Sequence, residues 1–95
     1  MNENSTNTGI RIDDHCRIVI GELKSGPHTH PQAAQKEIDR LRSTPLRAEV
    51  RNGKDGQWFA AVEDSEGALV LYSGNLNSQS SARAAAQAAV RVVKG

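Results

Sequence analysis

The stretch Gln57 to Glu63 restricts this chain more than any other. It alternates strictly: Trp58, Ala60 and Val62 fall on one side, and Phe59, Ala61 and Glu63 on the other, which is the period of a strand. A turn-forming group bounds it on each side, Asn52-Gly53-Lys54-Asp55-Gly56 before and Asp64-Ser65-Glu66-Gly67 after, and the glycines supply positive φ at little cost. Leu46 to Arg51 precedes the first turn and Ala68 to Tyr72 follows the second, both with strand composition. A strand held between two short turns pairs with the strands before and after it. The spacing therefore predicts a three-stranded antiparallel meander.

A helix follows the meander. Ser78 or Asn77 is placed to cap it, and Ala82, Ala85, Ala86, Ala89 and Val93 form an apolar side opposite Arg83, Gln87, Arg91 and Lys94. Upstream, Cys16 to Leu23 is a short β-branched run that reads as one extra N-terminal strand, ended by Ser25-Gly26-Pro27. A second helix then starts near Pro31, with Thr29 as its cap and Gln32 three residues on. Its stripe is Ala34, Ile38 and Leu41, and it stops before Ser43-Thr44-Pro45. Residues 1–9 are rich in Asn, Ser and Thr and read as a disordered tail. The fold class is thus α+β in two layers: a meander plus one strand, with two helices packed on the sheet. Residues 10–95 form one domain, divided into a strand–helix extension (10–45) and a tryptophan-bearing module (46–95).

The core is poor in large residues. The chain has one Trp, one Phe and one Tyr, and much of its apolar content is alanine. Burial stabilises in proportion to apolar area, at roughly 25 cal/mol per Å². A short chain with such a core usually needs a disulfide, a metal or a partner. Cys16 is the single cysteine, so no intrachain disulfide forms. The remaining expectation is a homodimer.

The residues around the tryptophan resemble the YegP-like family of small bacterial domains. The shared order is Asp55-Gly56-Gln57-Trp58, then Val62, Gly67, Val70, Ser73, Leu76, Ser78 and Ala82. Glu66 stands where that family usually has asparagine, and Leu76 where it has an aromatic residue. The resemblance covers residues 47–93 and implies structural anchors at Trp58, Gly67, Ser78 and Ala82. It also implies an arrangement in which two such modules, in tandem or in a dimer, share one sheet. It brings no catalytic residue and no cofactor. The first 45 residues do not show the pattern, so one copy of the module is expected here.

Functional motifs are few. Helix–three strands–helix is also the order of a double-stranded-RNA-binding domain, but such domains place lysines at the start of the last helix, and Gln79 and Ser80 stand there. All eleven acidic residues lie at or before Glu66, leaving Arg83, Arg91 and Lys94 in a thinly basic final third. With Arg40, Arg42, Arg47, Arg51 and Lys54, those two arginines define the alternative of a nucleic-acid-binding accessory protein. His15, Cys16, His28 and His30 are zinc-competent types, but their spacing matches no standard site, so no metal is expected. The carboxylate pairs Asp13-Asp14 and Glu63-Asp64 sit at element ends, and no glycine-rich phosphate loop is present. No apolar run has the length of a membrane span and no hydrophobic leader opens the chain, which points to a cytoplasmic protein. The leading expectation is a non-enzymatic protein-interaction module with an unidentified protein partner, acting as a homodimer.

Overall fold

The computed structural model describes residues 9–95; most of the expected tail, residues 1–8, lies outside the described part. The elements are β1 (Arg11–Ile12), β2 (Ile18–Ile20), β3 (Leu23–Lys24), α1 (Pro31–Arg42), β4 (Arg47–Asn52), β5 (Trp58–Glu63), β6 (Leu69–Ser73) and α2 (Gln79–Lys94). All six strands join one antiparallel sheet in the order β1-β2-β3-β6-β5-β4. Both helices pack on one face of it, and their buried residues (Ala34, Ile38 and Leu41 from α1; Ala82, Ala86, Ala89 and Val93 from α2) share a single core with Ile18, Ile20, Leu23, Ala60, Val62 and Leu71. The two-layer α+β class follows directly from the alternation and the helical stripes.

The meander forms where its turns dictate. Gly67, at φ +83°, closes the turn by donating its N–H to the Asp64 carbonyl at 3.0 Å. The Asp64 carboxylate accepts the N–H groups of Glu66 and Ala68 within the same turn. Ser78 caps α2 by accepting the Ser81 N–H at 3.0 Å. Trp58 packs against the core but is only half-buried, and the largest fully buried side chains are Ile18, Leu23, Leu41, Leu71 and Val62. The tryptophan therefore lies at the margin of the core, with aliphatic residues at its centre.

The first 45 residues differ from the expectation. The Cys16–Leu23 run, which reads as one strand, folds as a hairpin: Gly21 adopts φ +57°, the chain reverses, and Leu23 returns beside Ile20. Arg11–Ile12 adds a further strand on the outer side. The start of α1 also shifts. His30 is the N-cap, in extended conformation, and no side chain caps the helix. Pro31 at the first helical position keeps its predecessor extended, which fixes the helix start at that bond and leaves the Thr29 hydroxyl out of the capping position.

These changes make the first part of the chain a counterpart of the second. Each half is three antiparallel strands followed by a helix. From β3 through α1 and from β6 through α2 the equivalent residues keep one constant offset: Leu23 and Leu71, Ser25 and Ser73, Gly26 and Gly74, the N-caps His30 and Ser78, then Ala34 and Ala82, Ile38 and Ala86, Leu41 and Ala89. Their hydrogen bonds correspond too. Ser25 Oγ accepts the Ile18 N–H at 2.9 Å and donates to the Gly26 carbonyl at 2.8 Å. Ser73 Oγ accepts the Ala60 N–H at 2.9 Å and donates to the Gly74 carbonyl at 2.7 Å. The His28 N–H reaches the Cys16 carbonyl as the Leu76 N–H reaches that of Trp58, so Cys16 occupies the tryptophan's place in the first half. The halves meet at β3 and β6, with Leu23 beside Ser73 and Lys24 beside Tyr72. A pseudo-two-fold axis passes between these strands, perpendicular to the sheet. The segment that reads as a strand–helix extension is thus a second βββα unit, and the division of the domain is into two like halves.

Lys94 ties the helices together at their C-terminal ends. Its Nζ donates to the carbonyls of Leu41 at 2.9 Å and Arg42 at 3.2 Å, and also to that of Thr44. An ammonium at the C-terminus of α1 meets the negative end of the helix dipole.

Candidate functional site: the bare face of the sheet

With both helices on one side, the opposite face of the sheet carries no covering element among the described residues. Strand alternation sends there every residue that the core does not take: Arg11 from β1, Val19 from β2, Lys24 from β3, Tyr72 and Leu69 from β6, Phe59, Ala61 and Glu63 from β5, and Arg47, Glu49 and Arg51 from β4. The register aligns one residue per strand into a row across the whole sheet: Arg11, Val19, Lys24, Tyr72, Ala61, Glu49.

This face is neither a plain solvated surface nor a second core. Val19 is 4% exposed and Ala61 is 0% exposed although no helix lies over them. Long neighbours in the row shield them, Arg11 and Lys24 beside Val19, and Tyr72 and Glu49 beside Ala61. Leu69 at 44% and Tyr72 at 41% are the exposed large hydrophobic residues of the described chain, and both belong to β6. A bulge between Val62 and Glu63 shifts the register of β6, which brings Leu69 onto this face beside Glu63.

The charges here are mostly paired within the chain. Arg51 bonds the Glu63 carboxylate, which is largely covered, and Arg47 lies 3.6 Å from Glu49. Asp13 is built into the turn before β2. It accepts the N–H groups of His15 at 3.0 Å and Arg17 at 2.9 Å, and the Arg17 side chain at 2.9 Å. Those bonds, the Arg17 N–H foremost, hold its carboxyl at about 2, below its usual range. Arg11 and Lys24 have no carboxylate partner within 4.0 Å among the described residues.

The basic residues read from the sequence as a nucleic-acid alternative occupy separate surfaces. Arg47 and Arg51 are on the bare face, and Lys54 is in the 3-10 turn between β4 and β5. Arg83 and Arg91 project from the outer side of α2, across the sheet from Arg47 and Arg51. Arg42 is exposed at the end of α1, while Arg40 pairs with Glu37 at 2.7 Å and lies 3.6 Å from Asp64. That contact raises the Arg40 pKa and lowers that of Glu37. No continuous basic stripe joins the seven residues.

The zinc-competent side chains are also dispersed. Among the described residues no group of three or more His, Cys, Asp or Glu could hold a metal ion. His28 Nδ1 lies 3.0 Å from the Cys16 carbonyl, so its ring serves the turn. An apolar groove runs between α2 and the Gly21 turn, lined by Gly9, Ile20, Ala85, Ala88 and Val92. Glu22 at its rim is the one titratable side chain there to orient a ligand. No helix among the described residues is long and apolar enough to cross a membrane. Comparison with protein-family models, curated proteins and solved structures finds no match for the chain.

The strand pairing, and hence the row, follows from sequence features only in part. Alternation places Phe59, Ala61 and Glu63 together, but Arg11, Val19 and Lys24 join them only through the Gly21 turn. A glycine inside an apolar run is the signal that marks that turn.

Proposed function

We propose that the protein is a small non-enzymatic protein-interaction module whose working surface is the bare face of its sheet. The observation that carries this reading is the position of Leu69 and Tyr72. The two large hydrophobic side chains most open to solvent lie on the same central strand and on the one face that the helices leave uncovered. An aromatic and an aliphatic residue rimmed by arginine, lysine and glutamate have the make-up of a protein-binding patch, with apolar anchors inside a polar rim. The paired charges suit the same use, since an ion pair already formed costs less to cover than a lone charge.

The test is association of the purified chain by sedimentation velocity, for the wild type and for Leu69→Lys combined with Tyr72→Lys. Both positions are exposed, so the fold survives the change, which circular dichroism checks. The reading expects concentration-dependent association of the wild type and its loss in the double variant. Unchanged association would contradict it. So would a monomeric wild type giving a salt-sensitive nucleic-acid gel shift that Arg83→Glu with Arg91→Glu abolishes.

A further inference from the structure

We infer that the occupant of the bare face is a second copy of this chain, packed face to face about a two-fold axis parallel to the strands and centred between β3 and β6. This rests on the reading of the bare face as the interaction surface, and adds to it the partner and the geometry. The support is the order of residues in the row. Read across the sheet it runs Arg11, Val19, Lys24, then Tyr72, Ala61, Glu49. A two-fold parallel to the strands lays the row over its own reverse. Arg11 then meets the partner's Glu49, Val19 meets the partner's Ala61, and Lys24 meets the partner's Tyr72. The first is an ion pair and the last an ammonium over an aromatic ring, while Val19 and Ala61, already covered within each chain, only lie opposite one another beneath them.

The neighbouring row repeats the match. Asp13 pairs with Arg17 across the first hairpin, and Glu63 lies between Leu69 and Arg47 on the other half. The same axis brings Asp13 towards the partner's Arg47 and Arg17 towards the partner's Glu63, opposite charges in both cases. The other two-fold in the plane of the interface, perpendicular to the strands, stacks each strand on its own copy. That sets Arg11 against the partner's Arg11, Lys24 against the partner's Lys24 and Glu49 against the partner's Glu49, which is repulsive at every charged position.

The unpaired cations support the same arrangement. Arg11 and Lys24, which lack carboxylate partners among the described residues, are the residues that the axis supplies with an acid and an aromatic ring. Sheets packed face to face keep their strands within about 30° of one another, so opposition is closest near the axis, at Lys24 and Tyr72, and loosens towards the edges. The face is about 24 Å across, five strand spacings of ~4.8 Å, wide enough for a two-fold packing of one sheet on another.

The experiment is sedimentation equilibrium of the full chain as wild type, as Arg11→Glu, as Glu49→Arg and as an equimolar mixture of the two variants. Each reversal places like charges together twice in a two-fold dimer and is expected to weaken it about tenfold. In the mixed dimer both contacts become opposite-charge pairs, and the affinity is expected to return to within about threefold of wild type. A wild type that stays monomeric to millimolar concentration overturns the inference. So does a mixture no tighter than either variant. If Leu69→Lys with Tyr72→Lys abolishes association while the charge reversals leave it unchanged, this two-fold arrangement falls and the bare face remains the interaction surface. If neither set of changes matters, both fall.

Discussion

The two halves of the chain build one architecture from different residues. In the first, the core is made by branched side chains, with Ile18 and Ile20 on the central strand of its hairpin unit and Ile38 and Leu41 on α1. In the second, the equivalent places hold Ala60, Val62, Ala86 and Ala89, and Trp58 packs from the edge. The helix of the second half is thin-skinned and longer, running Gln79–Lys94 against Pro31–Arg42. The comparison teaches that what the halves share is a strand leucine, a serine whose hydroxyl bridges strand and loop, the glycine after it, one helix alanine, and a helix start at a fixed distance. Side-chain volume is unequally divided between the halves: the first supplies most of the branched residues of the shared core and the second most of its alanines.

If volume is divided in this way, equivalent positions should respond in opposite senses. Ile38→Ala is expected to cost about 2–5 kcal/mol, because deleting the branched side chain of a buried residue leaves a cavity in the core. Ala86→Ile at the equivalent place should cost roughly 1–3 kcal/mol through overpacking. Urea denaturation measures both, and equal costs for Ile38→Ala and Ala86→Gly would break the comparison. The tryptophan place gives the next contrast. Trp58→Ala should cost about 3 kcal/mol, the low end for an aromatic deletion since the ring is half-buried. Cys16→Ala should cost less than about 1 kcal/mol.

The shared polar element predicts sameness where the core predicts difference. Ser25→Ala and Ser73→Ala each leave a buried backbone N–H, of Ile18 and of Ala60, without its acceptor. Each is expected to cost about 1–3 kcal/mol, and the two values should agree within error. A large cost at one site and none at the other would show that the halves are alike in outline only. The smallest effect expected is in acid. Asp13 has its pKa lowered from 3.8 to about 2 in the folded chain, chiefly by the Arg17 N–H. Its contribution is therefore complete above about pH 4 and is lost as pH falls through about 2. The second half has Arg51 at the equivalent position, so Asp13→Asn should lower stability above about pH 4, where the contribution is complete, flatten the curve between about pH 2 and 4, and leave stability least changed below about pH 2.

Much of the second half was legible in the sequence because each of its strands is bounded by a glycine turn and its helix begins at a side-chain cap. The first half was not. Its strands are two or three residues long, too short for alternation to show, and Gly21 sits inside an apolar run where it reads as part of a strand. Its helix starts at His30 without a side-chain cap, which hides the correspondence with Ser78. The likeness of the halves is hidden in the sequence because the residues they have in common, Leu, Ser, Gly and Ala, are ordinary ones. The poor core that suggested a missing partner is explained in part within the chain, since the first half supplies the branched residues that the second lacks. The bare face was legible only in β5, where Phe59, Ala61 and Glu63 alternate away from the core. Its other members depend on strand pairings that no local pattern encodes.

The central claim is that the bare face is where this chain meets its partner, and that the partner is another copy. An isotope-filtered NOE experiment on a mixture of labelled and unlabelled chains at millimolar concentration tests it directly. The account predicts intermolecular contacts between the Lys24 side chain of one protomer and the partner's Tyr72 ring. Intermolecular contacts confined to α2 or to the β4 edge, or none at all, would contradict it.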